Sequence, residues 1–308
     1  MKISVIVPIY NMEDRILHAV DCLKAQDYPN LEFIMINDGS RDGTLALLKD
    51  AVAEDERFIV LSRENKGYGY TCNQGIEKSS GDYVAIYEPD DTLTPDFYSE
   101  LAKAAAAYPV ADIIRYNGFY RVCNGVASKL YTWEAHYTNQ ILDKHQMKRF
   151  WRSHPSVYNG LYRKDFLQTK KIRFCPTPGA SFQDAPFMVS LYYSNPSIYV
   201  INKSKYYYNI HDNQSINNVH LKIDNIIENW KMEKQWMDTI GVREDSFFFY
   251  RVCMQVWSVC KKIKEIPPKK RLLQGVKSFE LQTRRCCNIA TVRQRIICQF
   301  IRMLLPIV

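Results

Sequence analysis

The sequence predicts an α/β protein built on a mostly parallel sheet flanked by helices, with a helical extension at its C-terminal end. Three observations carry that prediction. Strand-like and helix-like segments alternate four times in about the first ninety residues. The strand-like segments are apolar along their whole length rather than at alternate positions, as strands covered on both faces are. After about residue 218 strand signals stop and helical spacing takes over.

Residues 3–9, ISVIVPI, form a β-branched run, and 13–26, EDRILHAVDCLKAQ, set Ile16, Leu17, Val20 and Leu23 at helical spacing. LEFIMIND (31–38) is the second strand, and GSRDGTLALLKDAVAED after it opens on a helix-start signal. RFIVLSREN and GYGYTCNQGIEKSS repeat the alternation, and GDYVAIYEPDD closes it with a fourth strand. Beyond residue 100, PVADIIRYNGFYRV reads as strands and ILDKHQMKRFWRSHP as a helix ending before Pro155. YNGLYRKDFLQTKKIRF reads as a helix followed by a short strand. PGASFQDAPFMVSLYYSNP starts as a Gly/Ser loop and becomes helical, and SIYVINKSKYYYNIHD reads as one last strand. Residues 221 to about 260 read as helix, and Pro267-Pro268 marks a break.

Composition bounds the function. The chain has 308 residues, 46% apolar and 13% aromatic, enough for a real core, which excludes a disordered protein. The formal charge of +8 is uneven: residues 221–308 hold 17 Lys and Arg against 8 acids, and the rest is balanced. Such asymmetry points to a polyanionic partner or, more plainly, to a solvated basic face. Nine cysteines form no CxxC pair and no zinc-like spacing with the six histidines, so reduced thiols in a cytosolic compartment are expected. The adjacent pair Cys286-Cys287 reads as incidental. MKISVIVPIYN reads as a first strand rather than a signal peptide, and no run approaches the ~20 apolar residues needed to span a bilayer.

In parallel sheets, ligands bind outside the carboxyl ends of the strands. Those ends are PIYN (8–11), NDGS (37–40), ENKGYG (64–69) and EPDD (88–91), which should converge on one crevice. Carboxylates such as those of EPDD suit a hard divalent cation that bridges one or two of them to substrate phosphates, with Asp90 the first candidate. The alternative is a surface turn before a helix, capped by Asp91 or Thr92. Asp38 can accept from a base or ribose donor, but Asn-Asp-Gly is also a common turn.

Taken in order, SVIVPIYN, INDGSRDGT, ENKGYGYTCNQGI and GDYVAIYEPDD resemble the nucleotide-binding half of family 2 glycosyltransferases, which have the GT-A fold. The resemblance continues through HPSVYNGLYRKDFL and SFQDAPF to roughly residue 218. It implies a GT-A catalytic domain over 1–218, with a nucleotide-binding half at 1–100 and an acceptor-binding half at 101–218, followed by a basic helical region at 219–308. It further implies a UDP-sugar donor whose base lies near Pro8, Tyr10 and Asp38, in a nucleotide-sugar site that takes in Asn11 and is shaped by Asn65, Gly67 and Asn73. Glu88 and Asp90 fall where the family has its Asp-x-Asp motif, with Asp90 on Mn2+ or Mg2+. Glu88 in place of the first Asp, and Cys72 where many relatives carry Arg, depart from the common pattern.

The family's base, an Asp at the start of a helix, corresponds to Asp184 in FQDAPF; read alone, Asp184 before Pro186 is a helix cap. His211 follows a strand where relatives often contact metal or phosphate, although a lone His is often structural. His154 is expected to border the acceptor cleft or to be a loop histidine.

The expected reaction is inverting transfer of one sugar to a saccharide acceptor, carried on a lipid, in bacterial surface polysaccharide or lipopolysaccharide synthesis. The Gln-x-x-Arg-Trp motif of processive members is absent from the sequence, which favours single addition. One rival is sugar-1-phosphate nucleotidyl transfer, disfavoured because PIYNMEDR lacks a Gly-rich phosphate loop. Another is a catalytically silent scaffold on a membrane. In the tail, 261–302 holds 12 Lys and Arg against 2 acids, interleaved with Ile289, Val292, Ile296, Ile297, Phe300, Ile301, Leu304 and Leu305. That arrangement suits an amphipathic helix on an anionic membrane, at the inner face of the cell membrane, or a helix docked on protein. No nucleic-acid-binding motif is present, so nucleic acid is not an expected partner.

Overall fold

Apolar β-branched runs pair side by side because a slot between two other strands satisfies their backbone groups and buries both faces. A computed structural model of the chain describes residues 1–131, 138–143, 146, 156–180, 182–211, 214, 221–242, 245–279, 290 and 292–306. In it β1 (Ile3–Ile9), β2 (Leu31–Asp38), β3 (Phe58–Arg63) and β4 (Tyr83–Ile86) pair in parallel in the order β3-β2-β1-β4. Every residue of β1 and β2 is buried, as their unbroken apolar runs require. Helices α1 (Ile16–Lys24), α2 (Thr44–Ala51) and α3 (Tyr68–Lys78) make the crossovers.

After the two-residue β5 (Thr92–Leu93) and α4 (Phe97–Ala107), the chain adds β6 (Ile113–Tyr116), β7 (Gly118–Cys123), β8 (Val126–Tyr131), β9 (Gln140–Ile141) and β10 (Gly160–Arg163). Then come α5 (Lys164–Thr169), α6 (Asp184–Tyr193), β11 (Ile198–Ile201) and β12 (Tyr206–Asn209). The large sheet is completed as β4-β10-β6-β11-β9, with β10 antiparallel to both neighbours, and β5-β12-β7-β8 form a second, smaller sheet.

Three expectations fail here for tertiary reasons. YNGLYRKDFLQTKKIRF is strand first and helix second, because Gly160-Leu161-Tyr162 fill a slot between β4 and β6. A Cβ at Gly160 would lie 2.3 Å from the Ile114 carbonyl, so glycine is what lets the strands close up. SIYVINKSKYYYNIHD is two strands, β11 in the large sheet and β12 in the small one. ILDKHQMKRFWRSHP begins in the short strand β9 rather than a helix, and its residues 144, 145 and 147–155 lie outside the described residues.

The C-terminal helices are α7 (Ile223–Thr239), α8 (Asp245–Cys260), α9 (Ile266–Lys277) and α10 (Val292–Leu304). The Pro pair falls in the first turn of α9, where a missing N–H leaves no helical bond unmade. These helices surround their own apolar core, centred on Trp230, Phe248 and Phe249 and separate from the sheet's core. Buried Glu233 pairs with the partly buried Arg251 and joins α7 to α8. Among the described residues no helix is long and apolar enough to cross a membrane.

Candidate active site

The four strand ends are tied together by hydrogen bonds. Asn11, at φ +51, donates its N–H to Ser40 Oγ at 2.9 Å and accepts from the Arg41 amide at 2.9 Å, joining the ends of β1 and β2. The Asp38 carboxylate accepts from the backbone amides of Lys66 (2.9 Å) and Gly67 (2.8 Å) and pairs with Arg63 at 3.1 Å. Asn65 Nδ2 donates to the Asp38 carbonyl at 2.8 Å. Gly67 has φ +91, and a Cβ there would meet Thr177 O and Gly179 N at 2.7 Å, so a side chain is excluded twice over. The next residue, Tyr68, donates its hydroxyl to Glu88 Oε1 at 2.6 Å and reaches the end of β4.

The three carboxylates after β4 have different surroundings. Asp91 is fully buried, accepting from Tyr206 Oη (2.6 Å) and the Asn209 amide (2.9 Å). Burial pushes its carboxyl well above the usual range against those donors. Asn209 Nδ2 also donates to the Asp90 carbonyl at 2.9 Å, so β12 clamps the turn. Asp90, held by that clamp, places Oδ2 3.2 Å from His211 Nε2 and Oδ1 3.9 Å from Arg15 Nη1. Its Oδ1 is buried without a hydrogen-bond donor among the described residues. Burial first, then the charges of Asp90 and Asp184, raise Glu88 to about 7, against the Tyr68 hydrogen bond.

Asp184 begins α6. Gln183 before it is buried and donates to the carbonyls of Thr177 (3.2 Å) and Gly179 (3.0 Å), fixing the helix start against the Gly67 loop. A cavity of ≈ 190 Å³ opens between α6 and the EPDD turn, lined by Tyr68, Glu88, Asp90, Tyr158, Asp184 and Tyr208 among others. Burial raises the Asp184 carboxyl to about 6, more than the Ala185 amide and Arg251 lower it. The cavity thus holds acids poised near neutrality beside an aromatic wall, suited to proton transfer from a hydroxyl group.

The description Glycosyl transferase family 2 matches residues 4–187, more than half of the chain. The chain belongs to that family. Glycosyltransferase GlyA of Streptococcus pneumoniae serotype 4 is 27% identical over 219 residues, 68% of this chain and 30% of GlyA. The chain thus spans under a third of that relative's length. Two solved structures share the fold: S. aureus TarS 1-349 in complex with UDP-GlcNAc, and mannosyltransferase PcManGT from Pyrobaculum calidifontis in complex with GDP-Man and Mn2+. TarS has a TM-score of 0.71 at 18% identity over 99% of this chain and 88% of its own. PcManGT has 0.57 at 12% over 99% and 87%. The fold is GT-A, a mostly parallel sheet with helices and a helical C-terminal region.

In this family 2 glycosyltransferase the structure brings Glu88, Asp90 and Asp184 to one cavity, with His211 against Asp90. Pro8, Tyr10, Asn11 and Asp38 lie at the β1 and β2 ends, where Pro8 is buried and Tyr10 exposed, and Asn65 and Gly67 lie in the loop after β3 that bonds to Asp38. Asn73 is not with them. Its amide exchanges two 2.9 Å hydrogen bonds with the backbone of Phe174, and it lines a second cavity of ≈ 450 Å³ with Gln74, Arg173 and Trp236. Cys72 is buried beneath Tyr68 and Glu88. His154, Cys286 and Cys287 lie outside the described residues. Sequence reasoning missed Tyr68, Tyr158 and Tyr208 as lining residues and Asn209 as the clamp; tyrosines in apolar runs carry no signal that separates a lining role from a core one.

A divalent cation fits this donor set. Among the described residues no three His, Cys, Asp or Glu groups form a cage, but Mg2+ and Mn2+ usually take one or two protein ligands and complete their shell with substrate phosphates and water. Asp90, with an oxygen lacking a hydrogen-bond donor, and His211 are placed to be those ligands.

Proposed function

We propose that the protein transfers one sugar from a UDP-sugar to a saccharide hydroxyl, with inversion at the anomeric carbon. The observation that carries this is the meeting of Asp184 with Glu88 and Asp90 around one cavity at the carboxyl end of the parallel sheet. The acceptor oxygen attacks the anomeric carbon as the bond from that carbon to the diphosphate breaks, its electron pair leaving on UDP. The hydroxyl proton passes to the Asp184 carboxylate, whose position near 6 leaves it ionised at neutral pH yet basic enough to help. Asp90 and His211 would hold Mn2+ or Mg2+, which neutralises charge on the departing diphosphate. Glu88, oriented by Tyr68, would face the donor's ribose or a water of that cation. Pro8, Tyr10, Asn11, Asp38, Asn65 and Gly67 would form the nucleotide side; Asp38 would act through the loop its carboxylate holds as much as through the base. A UDP-GlcNAc complex of TarS supports this donor class, and the Mn2+ complex of PcManGT supports the cation.

In this reading residues 1–218 are the catalytic domain and 219–308 an appended helical region. The acceptor is a lipid-linked saccharide of a surface polysaccharide or lipopolysaccharide, met at the cytoplasmic face of the membrane. Calorimetry tests the core of it: UDP binding should depend on Mn2+ in the wild type, and that dependence should vanish in Asp90→Ala. Metal-independent binding, or binding unchanged in the variant, would refute the Asp90 assignment. Product NMR showing a retained anomeric configuration would refute inversion.

A further inference from the structure

Helix α10 is docked by one face only. Ile297, Cys298, Ile301 and Leu305, the last just past the helix end, enter the C-terminal core. Val292, Ile296, Phe300 and Met303 stand 76%, 59%, 47% and 65% exposed. At ~100° per residue these four fall in one stripe about 80° wide, on the side of the helix away from the buried face. Single exposed apolar residues need no account, but four in register along one helix do.

The stripe has arginine on both edges. By the same spacing Arg293 borders it on one side, and Arg295 and Arg302 lie on the other, all three exposed. No acidic residue occurs in α10. The pattern of apolar centre and cationic rim discriminates among partners. A second copy of the chain docking through this stripe would set arginines against arginines, a like-charge juxtaposition. Nucleic acid would engage the cations but leave Val292, Ile296 and Met303 without purpose, since bases are held by stacking on aromatic rings. An anionic lipid surface satisfies both halves: acyl chains take the apolar stripe and headgroup phosphates take the guanidinium groups.

We propose that α10 is an in-plane membrane-docking helix, lying flat with Val292, Ile296, Phe300 and Met303 in the interface of an anionic bilayer. Its length of about 20 Å is parallel to the surface, and its opposite face remains in the protein core. The second face is what distinguishes it from a free amphipathic tail: binding the membrane does not require α10 to undock.

Full-length protein would be sedimented with vesicles of phosphatidylcholine and phosphatidylglycerol, and with phosphatidylcholine alone. The wild type should pellet with the anionic vesicles and weaken as salt rises. Ile296→Asp with Phe300→Asp should lower the partition at least ~tenfold, by the loss of two buried side chains. Arg293→Gln with Arg302→Gln should erase the preference for anionic over neutral vesicles. Melting temperatures unchanged in both variants would show that the exposed stripe was altered without unfolding the helix. Failure of the wild type to pellet, or pelleting unchanged in the Asp variant, would overturn the proposal. A solution dimer dissolved by the Asp variant would overturn it too, by giving the stripe to protein. No donor or turnover enters this assay, so its failure is separate from failure of the transferase reading.

Discussion

Asp184→Asn should stabilise the fold and disable the protein in one step. Burial lifts the Asp184 carboxyl from an ordinary 3.8 to about 6. At 1.36 kcal/mol per pH unit, that is ~3 kcal/mol against the ionised form. Partial contact with solvent discounts the figure to roughly 1–3 kcal/mol. A raised carboxyl pKa means that the folded state holds the proton more tightly than the unfolded chain does. The penalty is therefore fully present above about pH 6 and absent below about 3.8, so this group's contribution to stability falls as pH rises between them. Asparagine removes the charge and keeps the shape and an acceptor for the Ala185 amide. Near pH 8 the variant should melt higher than the wild type by about 2–6 °C, and the difference should close as the buffer approaches pH 4. Loss of the base should meanwhile cut turnover by ~10²–10⁴. Paired melting scans across that pH range, with turnover measured on the same samples, check both halves. A variant that melts lower near pH 8 would show that Asp184 is an ordinary helix cap. Full turnover would remove it from the chemistry.

Two further substitutions probe the frame of the site. Gly69→Ala puts a Cβ 2.0 Å from the Cys175 carbonyl, so α3 must retreat from the 175–177 segment; a loss of ~1–3 kcal/mol or more is expected by urea denaturation. Unchanged stability would mean that this contact is slack. Tyr206→Phe removes the hydroxyl that donates to buried Asp91, which should cost about 1.5–3 kcal/mol. Because Asp91 holds the turn bearing Asp90, UDP binding should weaken as well, and a variant that loses stability without losing affinity would uncouple the clamp from the site.

How much of this was legible follows from the range of the forces involved. The end-of-strand segments 8–11, 37–40, 64–69 and 88–91 could be placed together from sequence because a parallel sheet brings every carboxyl end to one edge. Only α/β alternation was needed for that. The Asp91–Asn209 clamp joins residues 118 positions apart, and nothing local in YYYNIHD marks it. The strand at Gly160–Arg163 was misread because KDFLQT beyond it is a true helix, whose pattern extends smoothly backwards through YR. Only the slot between β4 and β6 decides otherwise. Asp184 was a helix start on its own residues, and the family resemblance alone singled it out.

Three carboxylates after a buried strand would repel one another if they served one purpose. The structure divides them. Asp91 is turned into the protein, where Tyr206 and Asn209 use it to fix the turn. Glu88 is turned sideways to Tyr68, and burial raises its carboxyl to about 7, so that it is only partly ionised near neutral pH. Asp90 keeps a buried oxygen without a hydrogen-bond donor, beside His211 and at the distant edge of Arg15. A buried acceptor left unsatisfied costs on the order of 1–3 kcal/mol, and the elevated carboxyls of Glu88 and Asp184 add to that cost. Stability alone would not select such a group, since apolar residues at Glu88 and Asp184 would pack the same cavity more favourably. On the proposed function, a cation held by Asp90 and His211 at the edge of the sheet would relieve Asp90 and offset the mutual repulsion. Tyr68, Asn209 and Gln183 hold the segments that bear these carboxylates: Tyr68 bonds Glu88, Asn209 bonds the turn of Asp90 and Asp91, and Gln183 anchors the start of α6 to the carbonyls of Thr177 and Gly179.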